Sequence, residues 1–162
     1  MQAKDVMHRL IDFGHHLIQE YVGDLGEADL VVRVAPGSNH AAWQLGHMIG
    51  GTRRVLVNLG HAAPELPAGF EAAHSRETAG VDDRARFASK AEYLGLLERM
   101  QAASHAAVDA TPEAALDQPG PEPMRQYAPT VGVALMLLGG HVLMHAGQFV
   151  PLRRKLGKAF KF

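Results

Sequence analysis

Apolar side chains recur with a helical period in four stretches of this chain and with no sustained period between them. Val6, Met7, Leu10, Ile11, Leu17, Ile18, Tyr21 and Val22 predict a first helix from about Gln2 to Val22, packed on one side and ended by Gly23 and Gly26. Asp24 to Val34 fits neither period and reads as an irregular link that admits a short extended piece. Pro36-Gly37-Ser38-Asn39 is a turn that delivers Ser38 or Asn39 as the N-cap of a second helix, which runs to about Asn58. Ser89-Lys90-Ala91-Glu92 has the spacing of a capping box, and Tyr93, Leu94, Leu97, Met100, Ala103, Ala107 and Val108 carry a third helix to about Ala110. Thr130 caps the fourth, which heads toward Leu156 with Gly157 as its stop.

Two long connections separate these helices. Leu59 to Ala88 is rich in Pro, Gly and charge, and is expected to cross one end of the molecule and shape the mouth of a site there. Thr111 to Pro129 holds Pro112, Pro119, Pro121, Pro123 and Pro129 and cannot form a regular element. Four helices without a convincing strand pattern predict an all-α fold, a four-helix bundle with two long connections, as one domain over residues 1–162.

The fourth helix carries the chemistry. Within Gly139-Gly140-His141-Val142-Leu143-Met144-His145-Ala146-Gly147-Gln148, the two histidines are four residues apart and leave the helix on one face. That face continues through Ala134, Leu137, Leu138, Gln148 and Leu152, so it is the stripe expected to be buried. Buried imidazoles need partners, and a metal ion is one candidate. A third ligand is offered by His47, one turn after Trp43 in Trp43-Gln44-Leu45-Gly46-His47 on the second helix. Two ligands from one helix and one from a neighbour make a facial three-histidine site with open positions. The plainer alternative is a set of histidines hydrogen-bonded in a core without metal.

Around that site Trp43 reads first as a core residue and second as a wall. Gln148 is expected to hydrogen-bond the ring of His145 from behind the metal site, and Arg54 reads as a solvated side chain or as a holder of an anionic substrate. Gly46, Gly50 and Gly51 weaken the second helix by about 1 kcal/mol each relative to alanine, which predicts close approach of another helix. His15 and His16 sit back to back, so at most one faces inward. His61 and His105 read as surface or flank residues, and so does His74, although it is the loop histidine of most interest. Pro151 opposes the carbonyl of Gly147 and is expected to kink or break the last helix. Arg153-Arg154-Lys155 suits a helix C-terminus through the macrodipole.

Composition narrows the chemistry further. The 162 residues have the apolar and charged fractions of an ordinary globular domain, and a formal net charge of −1 with both signs interspersed gives no field for collecting nucleic acid or anionic membrane. The N-terminus lacks the basic and then apolar layout of a signal peptide, and no apolar run is expected to reach membrane-spanning length, so the cytoplasm is the expected location. With no cysteine, any metal must use histidine, carboxylate or water, and any thiol nucleophile must come from outside the chain. The core faces of the second and fourth helices lack the Glu and Glu-x-x-His pattern of a di-iron bundle.

Trp43-Gln44-Leu45-Gly46-His47 and His141-Val142-Leu143-Met144-His145-Ala146-Gly147-Gln148 together resemble the DinB-like (DinB/YfiT-like) superfamily of metalloenzymes. The turn at Pro36-Gly37-Ser38-Asn39 and the Tyr127-Ala128-Pro129-Thr130 segment are similar to one subgroup. The resemblance implies a four-helix bundle, often a homodimer, with His47, His141 and His145 ligating zinc, nickel, iron or manganese. Some relatives transfer a low-molecular-weight thiol, which makes a metal-dependent enzyme joining such a thiol to an electrophilic small molecule one expectation, and three neutral imidazoles with an open position make hydrolysis a sister one. The alternative is a non-catalytic metal- or ligand-binding homodimer with a stress-related role. Pro151 departs from the aliphatic residue found in many relatives.

Overall fold

In the computed structural model, residues 2–161 are described and the fold is all-α. Its long helices are α1 (Ala3–Val22), α2 (Ala41–Asn58), α4 (Lys90–Ala110) and α5 (Val131–Lys155), with a single-turn α3 (Phe70–Ala73) in the first long connection. Both α1 and α2 pack along α4 and α5, so the order around the bundle is α1, α5, α2, α4. Helices α2 and α5, which carry the three histidines, are therefore neighbours.

The amphipathic stripes explain this packing. Met7, Ile11, Ile18, Tyr21 and Val22 of α1 are buried, as are Leu45, Met48, Ile49 and Leu56 of α2 and Leu135, Leu138, Val142 and Phe149 of α5. The closest approach lies between α1 and α5, where a Cβ on Gly139 would stand 2.7 Å from backbone atoms of Leu10 and Ile11. Helix α5 is also long and apolar enough to cross a membrane by length and composition, contrary to the expectation that no run reaches that length. In the fold it is spent on contacts with α1 and α2.

Two expected caps are present and a third is corrected. Ser89 Oγ accepts from Glu92 N at 3.2 Å while the Glu92 carboxylate accepts from Ser89 N at 2.8 Å, and Thr130 Oγ1 accepts from Val133 N at 3.2 Å. At α2 the cap is neither Ser38 nor Asn39 but His40, whose Nδ1 accepts from Trp43 N at 3.1 Å. Ser38 Oγ is engaged within its own turn, on the amide and carbonyl of Ala35. The link from Asp24 to Val34 holds a 3-10 turn at Ala28–Val31 in place of an extended piece.

Helix α5 runs through Pro151 without a break. Pro151 and Gly147 are both exposed, so water can solvate the carbonyl that loses its partner. Of the basic run that follows, Arg153 faces inward and is 1% exposed. It donates to Asp24 at 2.5 and 3.1 Å, to Tyr21 O at 2.8 Å and to Ala159 O at 2.9 Å, which ties the end of α5 to the end of α1.

Candidate metal centre

His47, His141 and His145 converge between α2 and α5, each offering a ring nitrogen within 4.8 Å of the others, a group that can hold a metal ion. The i, i+4 spacing on α5 sets His145 Nε2 3.1 Å from His141 Nε2. Two nitrogens bound about 2.05 Å from one tetrahedral ion lie about 3.3 Å apart, so this pair already has nearly the separation that shared ligation needs. The ring of His47 meets the other two edge to face, with centroids 5.2 Å from each.

One hydrogen bond sets the tautomer of His145. Gln44 Nε2 donates to Asn39 O at 2.8 Å, which turns its Oε1 toward α5, and His145 Nδ1 donates to that oxygen at 3.2 Å. The Nε2 of His145 is left as a bare lone pair facing the cluster. Gln148, expected in this role, is exposed on α5. Sequence reasoning missed Gln44, although it lies one turn before His47 on the same apolar helix.

Trp43 is buried and stacks on His47 with ring centroids 5.0 Å apart and planes at 10°, while its indole Nε1 donates to Ser75 O at 2.8 Å. It backs His47 and does not line the open side of the site. Of the glycines of α2, Gly51 admits an imidazole of the neighbouring helix α5, Gly46 admits one from the first long connection, and Gly50 faces open space. A Cβ on Gly46 would lie 2.0 Å from the ring of His74, and one on Gly51 would lie 3.0 Å from the ring of His141.

His74 is buried, contrary to the surface reading, yet it stands outside the three-histidine group. Its Nδ1 donates to Phe70 O at 2.7 Å and its Nε2 accepts from the Tyr93 hydroxyl at 2.6 Å. Through Tyr93 it fastens the first long connection onto α4, while His40 Nε2, which donates to Val81 O at 2.8 Å, and the indole of Trp43 fasten that connection onto α2. Of the remaining histidines, His15 is buried and His16 exposed, His61 meets Thr111 Oγ1 at 3.2 Å, and His105 stacks on His8 at 4.9 Å.

All three clustered imidazoles are held neutral. Burial pushes His145 down to about 3, with His141 and His47 adding to it. It pushes His141 to about 4, helped by His47 and Arg54, and lowers His47, helped by Arg54 and Arg76. Neutral imidazole is the form that binds metal. His47 and His141 are only partly buried and open onto a cavity of about 240 Å³ lined also by Gly51, Thr52, Arg54, Val55, Met124, Tyr127 and Leu137. Met124 and Tyr127 come from the second long connection, and no residue between Leu59 and Ala88 lines the cavity, so the mouth is shaped by the connection that was not expected to do so.

The sequence profile of the DinB superfamily matches residues 10–149, a span that includes all three histidines. The chain belongs to the DinB superfamily. The same fold is seen in the crystal structure of a conserved protein from Enterococcus faecalis, which is similar with a TM-score of 0.73 and 22% identity over 98% of this chain and 99% of that one. Among curated proteins none matches. Within this DinB fold the site has the ligand set and the open side of a metal centre, and the donors themselves test the fit: three neutral nitrogens converge, and one is held in the ligating tautomer by a buried carboxamide.

Proposed function

We infer that this DinB protein is a metal-dependent enzyme acting on a small molecule, with His47, His141 and His145 as ligands of a divalent ion such as zinc, nickel, iron or manganese. The observation that carries the reading is the convergence of the three histidines beside a cavity that His47 and His141 line, with His145 pinned by Gln44 and His47 backed by Trp43. A divalent ion there would supply Lewis acidity, which favours the deprotonated form of a thiol or water at the open side.

The chain's own residues account for the rest. Val55, Met124 and Leu137 present apolar wall to the cavity and displace water from it, and Arg54 stands where an anionic group would enter. Among the described residues that line the cavity no side chain is placed as a general base, so the proton of the nucleophile would leave to solvent. The absence of cysteine supports an external low-molecular-weight thiol, whose sulfur would bond to an electrophilic carbon as that carbon releases its leaving group. Exposed Met136 and Met144 on the apolar helix α5 support a homodimer.

Metal analysis of protein purified without a histidine tag tests the reading. About one divalent ion per chain is expected, lost in His141→Ala and in His145→Ala together with part of the thermal stability. Full metal retention in both variants, or no uptake after incubation with zinc, nickel, iron and manganese, would remove the site. Stoichiometric metal without turnover of any electrophile by a panel of thiols would leave a metal-binding protein that is not a thiol transferase.

A further inference from the structure

The cavity beside the histidines carries charge of one sign only. No aspartate or glutamate lines it, and none belongs to the ligand group, so three neutral imidazoles would leave a divalent ion with its full double charge. Arg54 adds a guanidinium at the wall and makes no hydrogen bond or ion pair among the described residues. Arg33, Arg84 and Arg153 are by contrast engaged by carboxylates and carbonyls of the fold. Five unused donors in a planar fork beside an apolar wall are an arrangement that recognises an anion.

Size and lining restrict which anion. The cavity, at about 240 Å³, falls below the ~300–1,000 Å³ of pockets for drug-sized ligands. Its Val55, Met124 and Leu137 surfaces call for a hydrocarbon body. A single guanidinium matches a carboxylate with two parallel hydrogen bonds, whereas a phosphate dianion would need further donors to replace the water it sheds against apolar walls.

We propose that this cavity takes a small organic carboxylate, its two oxygens on Arg54 and its hydrocarbon body against Val55, Met124 and Leu137. The inference rests on the metal-centre reading, because the ion supplies part of the positive field, and it names the substrate class for that centre.

Zinc-loaded protein, its metal content measured first, can be titrated with hexanoate and followed by chemical-shift changes in amide NMR spectra. Saturable binding is expected, weaker by about tenfold or more in Arg54→Gln, as loss of a charge-assisted pair requires, and unchanged in Arg53→Gln, whose side chain does not line the cavity. Hexan-1-ol and inorganic phosphate should each bind more weakly than hexanoate. Equal hexanoate affinity in Arg54→Gln, equal affinity for the alcohol, or tighter binding of phosphate would overturn the assignment. Zinc present with no hexanoate binding overturns this inference and leaves the metal centre standing; failure to load zinc, nickel, iron or manganese overturns both.

Discussion

His145 offers its Nε2 lone pair to the cluster only while its Nδ1 proton has an acceptor, and Gln44 is that acceptor. Gln44→Ala should therefore lower metal affinity by roughly 10–100-fold, the usual effect of removing an outer-shell partner, as measured by competition with a chromogenic chelator. Gln148→Ala should leave it unchanged, since that side chain is exposed; equal losses in the two variants would refute the assignment. The histidine pair was legible in sequence because four-residue spacing on an apolar stripe dictates one face. The carboxamide was not, because Gln44 and His145 are 101 residues apart and Gln148 satisfied the local geometry equally well. His74 was hidden for a related reason: the notch that receives it is the missing side chain of Gly46, far away in the chain.

Helices were legible because their stripes repeat, and their ends were legible where capping is local, as at Ser89 and Thr130. They were misread where a neighbouring element decides. His40 serves as the cap of α2 while its other ring nitrogen anchors the loop at Val81, and Arg153 belongs less to the dipole of α5 than to Asp24 at the end of α1. The hydrogen bond from Arg153 is the main cause holding the Asp24 carboxyl down at about 2, against the opposing effect of burial. A carboxylate with a depressed value stabilises the fold above its ordinary range and stops doing so as pH falls from about 4 toward 2. Asp24→Ala should cost on the order of 1–3 kcal/mol at neutral pH in urea unfolding, less than a fully buried pair would because Asp24 is 40% exposed and screened by water. Its stability relative to the unaltered protein should recover in that acid window. A variant as stable as the original at neutral pH would show that the carbonyls of Tyr21 and Ala159 suffice for Arg153.

At the scale of the whole molecule, the bundle closes where Gly14 and Gly139 let α1 and α5 touch, and His15, the next residue of α1, is buried with its Nε2 lacking a hydrogen-bond partner among the described residues. Burial, and next the nearby His105, push His15 down to about 4, with Asp12 opposing them. The unfolded chain keeps an ordinary histidine near 6.5, so between these values it binds a proton that the folded protein refuses. Stability contributed by neutral His15 is thus whole above about pH 6.5 and is lost as pH falls toward 4, a window higher than that of Asp24. In protein stripped of metal, His141 and His145 bend the curve in the same direction, so the useful measurement is a difference. His15→Leu removes one titrating group and one unsatisfied nitrogen while keeping a side chain of similar bulk at a buried position. Its unfolding free energy should gain on that of the parent when both are compared at about pH 7 and again at about pH 5. A constant difference across that interval would mean that His15 takes up its proton in the folded state, through water or a shift of α1, and that its surroundings are open to solvent.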